Sequence, residues 1–237
     1  MILLIASVFP VIIFLHVIYQ KDHEKEPIPL LLKSLLGGCF SIVISLLISS
    51  VLSKLSVLFP GAFLSSLHSA FLEAAIPEEI AKFTVLYFLI WKSTAFNHHY
   101  DGIVYAVFVS LGFALVENVL YVFQGGMAVA IGRAVLAVPG HGLFGVLMGY
   151  YFSLARFHEN PKRRQYLLKG LVIAILFHGG YDFLLMYMSS SADNALLLVF
   201  LLIGFSWLVI KLWKKGISKI KNHIELDLKN NREELGQ

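Results

Sequence analysis

Apolar residues occur along the chain in long stretches, separated by short connections rich in charged, proline, glycine or serine residues. A helix needs about 20 predominantly apolar residues to cross the hydrocarbon core of a bilayer. The third stretch has 30 residues and contains Pro77, which should bend it, so it could also form two segments. We therefore predict an all-α fold, a polytopic transmembrane helical bundle with about seven spans, or eight if the third stretch divides. The predicted spans are residues 2–19, 31–52, 62–91, 103–123, 133–154, 167–188 and 195–213.

The composition agrees with this pattern. Of 237 residues, 58% are hydrophobic and 14% are charged, whereas soluble domains carry roughly 25% charged residues. We predict one transmembrane domain at 1–213, followed by a basic amphipathic cytoplasmic tail at 214–237. The net charge is +4, and the basic residues cluster beside the spans. This distribution indicates membrane topology, so the lipid bilayer is a predicted partner and nucleic acid is not.

Lysine and arginine residues also indicate the orientation. They flank the first loop and the loop before the sixth span, and they follow the last span. The connections at Gly125-Gly126 and Ser189–Ser191 are nearly free of them. Because positively charged loops stay in the cytoplasm, we predict an outside N-terminus and a cytoplasmic C-terminus. This assignment requires that residues 62–91 cross the membrane once.

Several ionisable side chains lie within the predicted spans. Such groups are costly in lipid, so they normally face a protein interior or a water-filled cavity and serve a function. Any one of them could instead be structural, as a Glu–Lys ion pair or a hydrogen-bonded histidine. Their occurrence on four separate spans favours a common site. The residues are Glu78, Glu79 and Lys82, then Glu117 with Asn118, then His141, and then His178 with Asp182.

Depth estimates place the main groups in one layer. At 1.5 Å per helical residue, Glu78 and Glu117 each lie about 21 Å above the inner ends of their spans. His141 lies about 12 Å below the outer start of its span, and His178 about 16 Å above the inner start of its own. In a core of about 30 Å, all four fall in the middle to outer half. The sequence thus predicts a convergent buried site.

Local spacing adds chemistry to this site. Lys82 follows Glu78 by four residues and Glu79 by three, so it can reach either carboxylate on one helix face. Two adjacent carboxylates resist simultaneous ionisation, and one of them could act as a general base toward water. Asp182 follows His178 by four residues and can fix its tautomer. Tyr121 shares a helix face with Glu117, and its hydroxyl is a further candidate donor.

These motifs together resemble those of the PrsW-type intramembrane proteases. The similar elements are Glu78-Glu79-x-x-Lys82, Phe113-x-x-x-Glu117-Asn118-x-x-Tyr121, His141-x-x-x-Gly145 and His178-x-x-x-Asp182, with Asp101–Tyr105 preceding the second. The resemblance covers about residues 70–190. It implies a peptidase domain at 1–213 in the bacterial cytoplasmic (inner) membrane, with a membrane-anchored protein as substrate. The typical role in the family is the first cut of a single-span anti-sigma factor during a stress response.

The family is distantly similar to the type II CAAX prenyl endopeptidases, in which a glutamate and a histidine activate water. This likeness implies that Glu78 or Glu79 is the base and that His141 and His178 orient water or stabilise the oxyanion. Glu117 stands where those relatives have a histidine, and we include it among the catalytic candidates. The supporting candidates are Lys82, Asn118, Tyr121 and Asp182.

Metal dependence stays open at this point. PrsW-type enzymes have also been treated as metallopeptidases, and zinc accepts nitrogen and oxygen ligands. The chain has no His-Glu-x-x-His motif, and its two motif histidines lie on different spans. We favour a metal-independent glutamate mechanism without a cofactor, with zinc as the alternative. If a metal binds, the expected ligands are His141, His178, Glu78 and Glu79.

Two other classes of function fit part of the pattern. Intramembrane Glu, His, Lys and Asp residues also serve proton relays and proton-coupled transporters, although the chain shows no internal repeat. A non-catalytic immunity or scaffold protein could retain the same fold. Outside the motifs, we expect Arg133 to anchor a span end at the interface and His99 to be solvated in a loop.

Overall fold

The computed structural model describes residues 1–234, which are mostly helical and contain no β-strand. The last three residues of the predicted tail, 235–237, lie outside the described residues. Short 3₁₀ and π-helical turns join or extend several of the helices. The helices are α1 (Ile2–Gln20), α2 (Ile28–Leu52), α3 (Gly61–His68), α4 (Ile76–Ile90), α5 (His99–Gly132), α6 (Val138–Arg156), α7 (Lys162–Ser190) and α8 (Ala195–Glu234).

Five helical stretches are long and apolar enough to cross a membrane. One of them, His99–Arg156, contains both α5 and α6, and its backbone turns at Gly126, where φ is 73°. A further helical stretch, 61–90, carries four charged side chains, Glu73, Glu78, Glu79 and Lys82. The prediction of a helical membrane bundle is confirmed, and seven remains an approximate count of its spans.

The third apolar stretch is helical throughout. α3 continues through a π-helical turn, Ser69–Ala75, directly into α4, where Pro77 occupies the first turn. Proline has no N–H to donate to the preceding turn, so a change of helix type just before it is expected. π-Helical turns of this kind often occur at functional sites. Here the turn ends at Ala75, two residues before Pro77 and the Glu78-Glu79 pair.

α5 forms the centre of the bundle, and almost every side chain from Tyr100 to Ala114 is buried. Glycines let α2 approach it closely. A Cβ atom on Gly38 would meet the Val109 carbonyl oxygen, and one on Gly112 would meet the Leu35 carbonyl oxygen. Small residues at helix crossings allow this kind of contact between backbones in membranes. The close packing fixes the rotation of α5, and therefore the direction in which Glu117 points.

The tail predicted at 214–237 continues α8 without interruption as far as the structure describes it. The Asp227 carboxylate accepts hydrogen bonds from the backbone N–H groups of His99 (2.7 Å) and Tyr100 (2.8 Å) at the start of α5. The His99 ring also contacts Asp227, with Nδ1 3.0 Å from Oδ1. The expectation that His99 is solvated is therefore wrong, because the end of α8 covers it.

Candidate active site

Lys82 lies at the centre of a buried polar network. Its side chain is 1% exposed. The ammonium donates to Glu78 Oε2 (3.0 Å), Glu79 Oε1 (2.9 Å) and His141 Nδ1 (3.2 Å). These three bonds use all three N–H groups of the ammonium. Lys82 thus joins two carboxylates of α4 to a histidine of α6. The i, i+3 and i, i+4 spacings on α4 predicted its contacts with the two carboxylates.

Glu79 is the fully buried member of the carboxylate pair. Its Oε1 also accepts a hydrogen bond from His178 Nδ1 on α7, at 2.9 Å. Its other oxygen, Oε2, is buried and has no hydrogen-bond partner among the described residues. Glu79 therefore holds α4, α6 and α7 together through Lys82 and His178, and it has one buried oxygen left for a small ligand.

Glu78 faces a different environment. Lys82 holds its Oε2, and the carboxylate lines two neighbouring cavities of about 420 Å³ and 450 Å³. Cavities of a few hundred Å³ are typical of small-molecule or peptide sites. Of the two adjacent glutamates, Glu78 is the one that both cavities reach. The sequence alone left this choice open.

His141 connects the Lys82 network to Glu117. Because a lysine ammonium can only donate, His141 Nδ1 must accept from it, which leaves the hydrogen on Nε2. Nε2 lies 2.9 Å from Glu117 Oε2 and donates to it. Glu117, on α5, thereby fixes the tautomer of His141 from the far side of the ring.

Arg133 completes this side of the site. Its guanidinium donates to Glu117 Oε2 (3.2 Å) and to Asn118 Oδ1 (2.8 Å), and it lies 4.6 Å from the centre of the Tyr121 ring. The expectation that Arg133 anchors a span end at the interface is wrong, because the turn at Gly126 folds it back onto Glu117. Asn118 also donates to the Ser7 carbonyl oxygen of α1, at 2.6 Å. No hydrogen bond to the Tyr121 hydroxyl is formed within residues 1–234.

His178 is held between two carboxylates. Nδ1 donates to Glu79, and Nε2 lies 3.2 Å from Asp182 Oδ2 and 3.8 Å from Glu78 Oε2. The i, i+4 pairing with Asp182 agrees with the spacing on α7. The Phe144 ring stacks on the imidazole, with centroids 4.8 Å apart and planes 18° apart. His178 is therefore fixed in position, and it lines the cavity that Glu78 also lines.

The nine predicted site residues thus occupy one continuous region built by α4, α5, α6 and α7. Arg133 and Phe144 belong to the same region but were not predicted as site residues. An arginine within an apolar stretch was the one available signal for Arg133. Its partner could not be known, because Arg133 lies 15 positions after Asn118 and beyond a turn of unknown direction.

The same residues could hold a metal ion. Glu78, Glu79, His141 and His178 each offer one ligand atom, and these atoms lie within 4.8 Å of one another. Two carboxylates and two imidazoles form a donor set that suits zinc. The unpartnered Glu79 Oε2 is a further acceptor at this point. The residues therefore fit a metal, although Lys82 already holds atoms of three of these four side chains.

Comparisons with known proteins agree with the motifs. The chain matches the family model described as PrsW family intramembrane metalloprotease over residues 26–210. It is 40% identical over 185 residues to a Protease PrsW of Geobacillus kaustophilus, covering 78% of this chain and 80% of the relative. It is 36% identical to proteins of the same name from Clostridioides difficile (94% and 91% covered) and Bacillus subtilis (91% and 93% covered). No solved structure matches the chain significantly.

Proposed function

The chain belongs to the PrsW family of intramembrane metalloproteases, and from this premise we propose that it cleaves a membrane-anchored protein with water activated by Glu78. Membership of a protease family favours an enzyme over the transporter and scaffold alternatives. The observation that carries the assignment to Glu78 is its position. It lines both cavities, whereas Glu79 is enclosed by Lys82 and His178.

In this proposal Glu78 accepts a proton from a water molecule in the cavity as the water oxygen attacks the scissile carbonyl carbon. The protonated Glu78 carboxyl group can then donate that proton to the nitrogen of the departing amine, and the C–N bond breaks. The products are a carboxyl group and an amine. Lys82 limits the mobility of Glu78 by holding Oε2, so the other oxygen is available to the water.

Developing negative charge on the carbonyl oxygen requires donors that are already in place. The residues with donor groups that line the cavity beside Glu78 are Tyr121, Arg133, His141, His178 and Tyr181. We assign oxyanion stabilisation to His178, whose ring is held by Glu79 and stacked on Phe144. His141, Glu117 and Arg133 line the same cavity and act as positioning residues.

The family description names metalloproteases, and the donor set is compatible with zinc. Glu78, Glu79, His141 and His178 would hold the ion, which would supply Lewis-acid polarisation of the carbonyl or of water. We favour the metal-independent route, because the Lys82 ammonium already forms hydrogen bonds to Glu78, Glu79 and His141.

For the substrate, we propose a single-span membrane protein of the anti-sigma factor type, cleaved in the bacterial inner membrane. The distribution of basic residues supports an outside N-terminus and a cytoplasmic C-terminus. The two cavities share Glu78, Glu117 and Tyr121, and apolar residues such as Leu120, Leu136 and Met186 also line them. Such a lining suits a segment of a transmembrane helix.

The test is cleavage in reconstituted vesicles with a panel of single-span proteins. We expect wild-type protein to cut at least one of them within or next to its span, and His178→Ala to abolish the cut. The matched control is His16→Ala, which changes an exposed histidine of α1. Proton-coupled flux without cleavage of any panel member would contradict the proposal.

Metal dependence has its own prediction. We expect purified protein to keep its cleavage rate after treatment with a chelator, since the Glu78 carboxylate acts without an ion. Metal analysis and cleavage should be measured on the same sample. Stoichiometric zinc, with activity lost to the chelator and restored by zinc, would overturn the metal-independent mechanism while leaving the protease assignment intact.

A further inference from the structure

A second cluster of buried carboxylates lies far from Glu78, where the α1–α2 loop meets the start of α5. Asp22 and Glu26 come from the loop, and Asp101 comes from the first turn of α5. Their exposed fractions are 5%, 4% and 0%. Each offers one oxygen, and these three oxygens lie within 4.8 Å of one another. The proposed peptidase mechanism does not use these residues.

Two carboxylate oxygens of these residues have no hydrogen-bond partner in the described part of the chain, Asp22 Oδ2 and Asp101 Oδ1. The other Asp101 oxygen, Oδ2, is occupied, because it accepts from the backbone N–H groups of Asn97 (3.0 Å) and His98 (2.7 Å). These backbone bonds hold the Asp101 side chain in place and leave Oδ1 as its unpaired oxygen. The Tyr105 hydroxyl donates to Glu26 Oε2 and adds a phenolic oxygen to the carboxylate oxygens of the cluster.

Lys25 does not neutralise this cluster by a direct contact. Its ammonium donates to the carbonyl oxygens of Tyr19 (2.6 Å), Gln20 (3.2 Å) and Asp22 (2.6 Å). A lysine has three N–H groups, so none is left for a carboxylate. Within residues 1–234, no lysine, arginine or histidine forms an ion pair with the Asp22, Glu26 or Asp101 carboxylates; His98 faces Glu24 instead, at 3.7 Å.

Three buried carboxylates without a cation are costly, since burial of an unpaired charge is strongly unfavourable. Burial raises the pKa of the Asp22 and Glu26 carboxyls above their ordinary values. Either protons or a bound cation must offset the charge. Hard divalent cations prefer oxygen ligands, and carboxylates above all.

We propose that Asp22, Glu26 and Asp101 bind a hard divalent cation of the Mg²⁺ or Ca²⁺ class, which fastens the α1–α2 loop to the start of α5. The ion joins two segments that the hydrogen bond from Tyr105 to Glu26 also connects. It stabilises the bundle at the end opposite the peptidase cavities, and the site is independent of the peptidase mechanism.

The experiment uses full-length protein in detergent, treated with a chelator and then dialysed free of it. Mn²⁺ serves as the spectroscopic probe, with binding followed by electron paramagnetic resonance, and thermal unfolding is measured with added Mg²⁺ or Ca²⁺. We expect saturable Mn²⁺ binding and a higher unfolding temperature with either cation. Asp22→Asn and Glu26→Gln should each weaken Mn²⁺ binding by at least about ten-fold, the effect that loss of outer-shell partners already produces at metal sites.

Two controls separate this site from other causes. Glu24→Gln changes an exposed carboxylate of the same loop and should bind Mn²⁺ as wild type does. Glu79→Gln removes a candidate ligand of the membrane-embedded site and should also leave this binding intact. The proposal is overturned if wild-type protein shows no saturable binding and no rise in unfolding temperature. The proposal is also overturned if Mn²⁺ binding survives both Asp22→Asn and Glu26→Gln, in which case a shared proton neutralises the cluster. Loss of Mn²⁺ binding in Glu79→Gln overturns it as well.

Discussion

Glu78→Gln is expected to lower the cleavage rate by about 10²- to 10⁴-fold, the usual contribution of a positioned general base. The amide keeps the shape of the side chain and can still accept from Lys82, but it cannot take a proton from water. Protein level and unfolding temperature should stay near those of wild type. The measurement is the single-turnover cleavage rate of a single-span substrate in vesicles.

Glu73→Gln is the matched control for this substitution. Glu73 lies on the same helical stretch and lines one of the two cavities, but it pairs with His68, at 3.3 Å, and not with Lys82. The cleavage rate of Glu73→Gln should remain within a few-fold of the wild-type rate. If Glu78→Gln cleaves normally and Glu79→Gln does not, the base is Glu79. Normal cleavage by both variants would refute a glutamate mechanism.

Lys82→Met should destabilise the protein by roughly 3–5 kcal/mol, the cost typical of removing one partner from a buried ion pair. Glu78 and Glu79 would lose the ammonium that holds both of them, and His141 Nδ1 would lose its donor. We expect a lower unfolding temperature in detergent, together with loss of cleavage. Thermal unfolding of wild type and Lys82→Met at the same detergent concentration measures the difference in unfolding temperature.

Two further variants locate the cause of this effect. Lys54→Met removes an exposed lysine and should leave the unfolding temperature unchanged. Lys82→Met combined with Glu79→Gln removes one charge of each sign, so it should recover part of the lost stability. An unfolding temperature equal to wild type in Lys82→Met would show that the network contributes little to the fold.

The sequence predicted the helical membrane bundle well because the relevant signals run along the chain. The length of each apolar stretch gives the span, and the i, i+3 and i, i+4 spacings place Lys82 beside both glutamates. Depth, at a fixed rise per residue, placed Glu78, Glu117, His141 and His178 in one layer. The structure brings these four side chains together, while their catalytic roles stay predictions.

Only the tertiary structure decided which groups pair across helices, because these contacts depend on how each helix is rotated and where the chain turns. The close crossing at Gly38 and Gly112 orients α5, and the turn at Gly126 returns Arg133 to Glu117. The difference between Glu78 and Glu79 arises in the same way. Neighbours in sequence point about 100° apart on a helix, so one faces the cavities and the other faces His178.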